Sequence, residues 1–252
     1  MQRSEIRKPP LGNLQWGPIR GDEMKEQKGI RISVIGAGGI GSNLVCSIAP
    51  AISTGPLVKS LGGIQLGLYD SDKVEGKNLR LGQRFCHGDR GLEKVEAIRE
   101  SLSGYEGELM KIEAFGDDIR KASDLPDSDI VVVCVDNMSA RRVVHSLEIP
   151  WLDLRCAGDG YIAIDHRVDG FVVSSLTKDS DLSQSCQLDG WESGFLQAGF
   201  LAAAAHGYQW LIAMLRKMNG NEMSVLPVPR STSVTFGSLG SLPLSEVAID
   251  VR

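Results

Sequence analysis

The spacing of apolar positions changes several times along this chain, and each change marks an element. RISVIG (Arg31 to Gly36) is a short β-branched run ending in glycines, and the IGSNLVCSIAPAI behind it has helical spacing, so together they predict strand, tight turn and helix. IQLGLYD is a second apolar run, closed by Asp70. Residues 91–102 carry a helical period, ELMKIEAF reads as a third strand, and DIVVVCVD (Asp129 to Asp136) is nearly unbroken apolar sequence suited to a central parallel strand. A helix over Ser139 to Leu147 leads to PWLDLR, GYIAIDHRV and GFVVSSL, which read as three short antiparallel strands punctuated by Gly158, Gly160 and Gly170. EMSVLPVP and STSVTF read as closing strands. The alternation predicts an α/β fold: a doubly wound, mostly parallel sheet with antiparallel strands after about residue 150, and a ligand at the carboxyl ends of the early strands.

Between these runs lie segments without a period. Residues 1–29 are polar and broken by Pro9, Pro10, Gly12, Gly17 and Pro18, so they read as an arm. Residues 177–193 form a long polar loop, a length that usually has a task. One domain is expected over residues 30–236, with 237–252 as a tail. Phe195 to Leu215 is long enough to span a bilayer, but Gln197, His206 and Gln209 interrupt it, and it is assigned to a buried helix rather than a membrane.

Composition narrows the partners. At 252 residues with 42% hydrophobic and 23% charged side chains the chain is an ordinary globular protein, and its net charge of -5 supplies no field for nucleic acid. Twenty-nine glycines against 6% aromatics favour tight turns and close backbone approaches. The five cysteines are widely spaced and include no CxxC pair, which argues against a disulfide framework and a cysteine zinc site. MQRSEIRKPPLGNLQWGP lacks the apolar core of a signal peptide, so the cytoplasm is the expected location.

GAGGIGSN, with Gly36, Gly38, Gly39 and Gly41, lies between a strand and a helix, where glycines let phosphate reach backbone N–H groups at the positive end of the helix. This Rossmann-like placement means nucleotide and no more. Asp70 stands where a carboxylate takes ribose hydroxyls, but 34 residues past Gly36 rather than about 20. An NAD(P)-dependent oxidoreductase is therefore one open reading.

The run DSDKVEGKNLRLGQRFCHGDRGLEKVEAIRE (Asp70 to Glu100) then resembles the ThiF/MoeB-type adenylyltransferase family, which includes the adenylation domain of ubiquitin-activating enzymes. Asp70, Asp72, Val74, Asn78, Leu79, Phe85, Asp89, Gly91 and Lys94 fall in that family's register, and VVVCVDNMSARR (Val131 to Arg142) matches its apolar strand ending in Asp-Asn before an arginine. The resemblance implies ATP with Mg²⁺, a homodimer, and transfer of AMP to the C-terminal glycine carboxylate of a ubiquitin-like or sulfur-carrier protein. It also implies roles: Asp136 holds Mg²⁺, Lys94 and Asn78 contact phosphates, and Asp70, with Asp72 beside it, serves the ribose side of the nucleotide.

Two segments depart from that pattern or extend it. Where the family carries arginine and glutamine, this chain has Leu81 and Gly82. In a helical segment Arg84 lies three residues on, near the same face, and supplies the missing charge; Arg20 is a candidate for the N-terminal arginine that relatives borrow from a dimer mate. Cys186, in the polar loop before the long helix, matches the place where relatives form a thioester. Cys46 and Cys134 read as core residues and the four histidines as structural or surface residues. A non-catalytic pseudoenzyme that binds a ubiquitin-like partner is a third reading.

Overall fold

The structure, a computed structural model, describes residues 29–80, 82–177 and 198–233. Seven strands form one sheet: β1 (Ile30–Ile35), β2 (Ile64–Tyr69), β3 (Met110–Phe115), β4 (Ile130–Val133), β5 (Trp151–Ala157), β6 (Gly160–Asp165) and β7 (Arg230–Ser233), in the order β3-β2-β1-β4-β5-β6-β7. Strands β1 to β5 are parallel, while β6 and β7 run antiparallel to their neighbours. Strand order reverses between β1 and β4, so a crevice opens at their carboxyl ends, where this architecture binds ligands.

The helices, in chain order, are α1 (Gly39–Ile52), α2 (Pro56–Ser60), α3 (Lys94–Leu102), α4 (Met138–His145), α5 (Gly170–Leu176) and α6 (Gly199–Met218). One apolar cluster joins α1, α3 and α6 to the sheet through Leu44, Ile48, Ile98, Leu154, Trp210 and Leu211; a second joins α4 and α5 to it through Val131, Val133, Val144, Trp151 and Val173. The long helix α6 packs closely against α1 and β5. At Gly207 an added Cβ would stand 2.8 Å from Leu154 Cδ1 and 3.3 Å from Leu44 Cδ1, so a larger residue there would push these leucine side chains aside. Among the described residues no helix is long and apolar enough to cross a membrane.

Three expectations need correction. GFVVSSL is helix α5, not a strand: Asp169 caps it by accepting from the Phe171 N–H at 2.8 Å, and Phe171 is 80% exposed. Seven apolar-leaning residues fit either element, and the aspartate in front decides for helix. PWLDLR joins the sheet parallel to β4, with Val131 opposite Trp151. EMSVLPVP forms no strand; Pro227 and Pro229 lack the N–H a ladder needs, and Arg167 Nη2 donates to the Pro227 carbonyl at 2.6 Å instead. Of STSVTF, residues 231–233 pair with β6 and the remainder lies outside the described residues. The short α2, inside the long connection before β2, has no signature in the apolar pattern.

Candidate functional site

The turn between β1 and α1 is built by glycines with different tasks. Gly36 has φ +99°, and a Cβ there would sit 2.9 Å from Val135 Cγ1 and 3.0 Å from the Cys134 carbonyl carbon. At Gly41 a Cβ would overlap the Gly36 carbonyl oxygen. These two let the turn close on itself and on β4. Gly38 is different: nothing lies within 4 Å of its would-be Cβ, and with Gly39 it lines a cavity of about 480 Å³ at the carboxyl ends of β1, β2 and β4. Among the described residues no side chain caps α1, so its first N–H groups and the positive end of its dipole face that space.

Asp70 ties the turn to the end of β2. Its Oδ2 accepts from the Ala37 N–H at 2.7 Å and its Oδ1 from the Asp72 N–H at 2.9 Å, with Lys94 Nζ 3.7 Å from Oδ1. Burial pushes its carboxyl above the ordinary aspartate value, opposed by Lys94 and the two N–H groups. Each oxygen keeps a second lone pair for a hydroxyl in the cavity.

Lys94 opens α3 and is buried on the cavity wall, held by Asp72 Oδ2 at 2.6 Å. An ammonium has three donors, so two remain beyond Asp72. Asn78, also buried and on the wall, accepts from the Glu75 N–H at 2.7 Å and donates to Gln83 Oε1 at 3.1 Å, which fixes the turns that follow Asp72. Asp136 is exposed at the opposite wall, just before the Asn137 that caps α4 by accepting from the Ser139 N–H at 2.8 Å.

Thus Gly36, Gly38, Gly39, Asp70, Asp72, Asn78, Lys94 and Asp136 converge on one cavity, while Gly41 packs behind it. Arg84 is elsewhere. Its Nε donates to Asn43 Oδ1 at 2.8 Å, its N–H to Ser42 Oγ at 3.3 Å, and it is not on the cavity wall. The described residues from 75 to 84 form turns rather than helix, with φ +72° at Gly82, so the helical spacing that puts Arg84 beside position 81 does not apply. Ser42 and Asn43, the end of GAGGIGSN, clamp this loop; Asn43 Nδ2 also donates to the Gly82 carbonyl at 3.1 Å. Cys186, Arg20 and Leu81 lie outside the described residues.

Sequence reasoning misses some of the wall. Lys77 pairs with Glu75 at 2.9 Å, and that hydrogen bond is the first cause of its raised pKa. Gln83 joins Asn78. Asp117 and Asp118 follow β3, and Ser71 Oγ donates to Asp118 Oδ1 at 2.6 Å. Lys77 has a signal, since it precedes Asn78 inside the motif; the two aspartates have only their place after a parallel strand.

A second chamber of about 360 Å³ adjoins the first and shares Cys134, Val135 and Asp136 with it. Its wall continues through Ile40, Met138, Tyr161 and Ile162 and includes Arg141 and Arg155. Behind it Asp153 is fully buried among Arg141, Arg155 and His145, with Arg155 Nη2 at 2.6 Å and His145 Nε2 at 3.0 Å. Burial, then Arg155 and Arg141, depress the His145 pKa to about 4; burial lowers Arg155 to about 10, so it stays protonated at neutral pH. Among the described residues no group of three or more His, Cys, Asp or Glu side chains could hold a metal ion.

Comparison with known proteins agrees with the fold. A model of the ThiF family matches residues 12–241. The crystal structure of selenomethionine PaaA superposes with a TM-score of 0.55 at 17% identity, covering 83% of this chain and 65% of that one. The crystal structure of E. coli MccB with ATP gives 0.53 at 17% identity over 83% and 64%, and that of MccB with succinimide 0.54 at 16% over the same shares. The chain thus spans less than two thirds of the length of these structures. Comparison with curated proteins finds no match.

Proposed function

The chain belongs to the ThiF family, and from that premise we propose that it activates a carboxylate with ATP: R–COO⁻ attacks the α-phosphorus, R–CO–AMP forms, and pyrophosphate leaves. The observation that carries this reading is Asp136 on the wall common to two adjoining chambers. One chamber has the glycine turn, an uncapped helix N-terminus and Lys94 for a nucleoside triphosphate; the other has room for an acyl chain. Their junction is where an incoming carboxylate and an α-phosphate would meet. MccB, a similar fold, has been crystallised with ATP and with AMPCPP plus MccA, which supports a site for a nucleotide together with a second bound molecule.

Both reactants are anions, so the residues must offset charge and hold the groups in line. Gly38 and Gly39 let phosphate oxygens approach the N–H groups of α1. Lys94 places two further donors toward the phosphates from a fixed position, and Lys77 and Asn78 add donors on the same side. Asp70 takes ribose hydroxyls with its remaining lone pairs, and its hydrogen bond from Ala37 keeps ribose and phosphate subsites in register. Asp136 fits Mg²⁺ because it is an exposed carboxylate at the junction: that hard cation uses one or two protein carboxylates and completes its shell with phosphate and water. When bound, Mg²⁺ would offset phosphate charge.

We further propose a ubiquitin-like or sulfur-carrier protein ending in glycine as the acyl substrate, a homodimer as the working unit, and Cys186 as the acceptor of the acyl group, its thiolate attacking the R–CO–AMP carbonyl to form a thioester as AMP leaves. ATP-dependent pyrophosphate exchange tests the first step. Exchange that requires a glycine-ended carrier is expected; no exchange with any carboxylate, carrier proteins included, in the presence of bound ATP would refute it. A Cys186→Ala variant should keep exchange and lose a reductant-sensitive protein adduct, and an adduct that persists removes Cys186 from the mechanism.

A further inference from the structure

The nucleotide cavity is acidic. Among the described residues its wall carries the carboxylates of Asp70, Asp72, Asp117, Asp118 and Asp136 against two lysines, Lys77 and Lys94. A triphosphate adds more negative charge, so binding turns on which cation can leave its present partner. Lys94 is committed to the wall itself: Asp72 holds its Nζ at 2.6 Å and Asp70 stands 3.7 Å away. Arg84 gives its Nε to Asn43, off the wall. Lys77 differs from both. Its partner at 2.9 Å, Glu75, is not on the cavity wall, and the two side chains are 63% and 62% exposed. So exposed a pair is weak, because water solvates each partner well alone.

The backbone under this pair is fixed. The turn is closed at both ends, by the Asn78 N–H on the Glu75 carbonyl at 3.0 Å and by the Glu75 N–H on Asn78 Oδ1 at 2.7 Å. Lys77 therefore swings on its four-carbon stem from a set position. Charges order the wall from the ribose end outward. Lys94 lies against Asp70, whereas after Glu75 the carboxylates that act on Lys77 are Asp72 and Asp136. Lys77 thus stands beyond Lys94, on the side of Asp136, where the terminal phosphates of a nucleotide with its ribose at Asp70 would lie.

We propose that Lys77 holds the β- and γ-phosphates of ATP, and that Glu75 is a latch it leaves when the nucleotide binds. The inference rests on the adenylation reading and deepens it, since Glu75 then competes with ATP for one ammonium. When the carboxylate attacks, the bond from the α-phosphorus to its bridging oxygen breaks and that oxygen keeps the electron pair. Charge grows on the leaving pyrophosphate, and the Lys77 ammonium offsets it without giving up a proton.

The test is calorimetric binding of ATP at saturating Mg²⁺, with AMP read by displacement of ATP, on the wild type, Lys77→Met, Glu75→Gln and the double variant. AMP shares the adenine, ribose and α-phosphate, so the comparison isolates the terminal phosphates. Lys77→Met should weaken ATP about tenfold and AMP by less than about twofold, and Lys77→Arg should restore most of the ATP affinity. Glu75→Gln should tighten ATP about two- to fivefold, the range an exposed pair spans. In the double variant that gain should vanish. A general field from Glu75 would instead give the same gain with or without Lys77. Both side chains are exposed and the turn's bonds at Glu75 are made by backbone, so these variants keep the fold. Four results overturn the proposal and leave the adenylation reading in place: wild-type ATP affinity in Lys77→Met, an equal loss for AMP, no gain in Glu75→Gln, or a gain that survives without Lys77. No ATP binding by the wild type overturns that reading, and this inference with it.

Discussion

Gly38 and Gly41 stand three residues apart in one motif, yet they should respond to alanine in opposite ways. At Gly41 the new Cβ would lie 1.8 Å from the Gly36 carbonyl oxygen, and real Cβ atoms essentially never come within 3.0 Å, so backbone must move by at least about 1.2 Å. Overpacking of that kind costs roughly 1–3 kcal/mol, or about 2–12 °C in Tm at this chain length. The shift falls on the turn that positions Ala37 against Asp70, and a displacement of about 1 Å can cost on the order of 100-fold in a reaction that depends on alignment. At Gly38 the φ is -78°, ordinary for any residue, and the Cβ would meet nothing within 4 Å. Gly38→Ala should therefore cost less stability than Gly41→Ala and lose nucleotide, because the methyl group occupies space a phosphate needs. Denaturant unfolding and calorimetric titration with ATP and Mg²⁺ read the two effects separately. Wild-type ATP affinity in Gly38→Ala, or full stability in Gly41→Ala, would refute this division of tasks.

Other consequences follow from the buried charges. Asp153→Asn leaves two guanidiniums without their carboxylate and should destabilise the protein by about 3–5 kcal/mol; a loss below about 1 kcal/mol in denaturant unfolding would contradict the cluster as described. His145, 7% exposed at the side chain, has a depressed folded pKa, so the unfolded chain takes up the extra proton as pH falls through 6.5, and stability is lost from there down to about 4. That loss should reach about 2–3 kcal/mol, and a His145→Gln variant should lack it when the two are compared at pH 6.5 and 4.5. Lys94→Met should weaken ATP binding about tenfold or more through the lost phosphate donor, with unchanged affinity in calorimetry as the contrary result.

Much of the sheet is legible in the sequence because parallel strands buried on both faces are continuous apolar runs, as Val131 to Val133 are. The runs after residue 150 are harder. GFVVSSL has no period long enough to separate helix from strand, and only the Asp169 cap decides it. The site is legible where a motif supplies fixed spacing, as from Asp70 to Lys94. Legibility fails at Arg84, where helical spacing is assumed across residues held as turns by Asn78 and Asn43. Asp153 and Arg155 carry no signal in one dimension, since their meaning comes from Arg141 and His145 on another element.

The most direct test of the central claim is calorimetric binding of ATP with and without Mg²⁺, beside NAD(H) and NADP(H), on the wild type and on Asp136→Ala. ATP binding that needs Mg²⁺ and weakens in the variant is the expected result. Binding of NAD(P) with no affinity for ATP would contradict it.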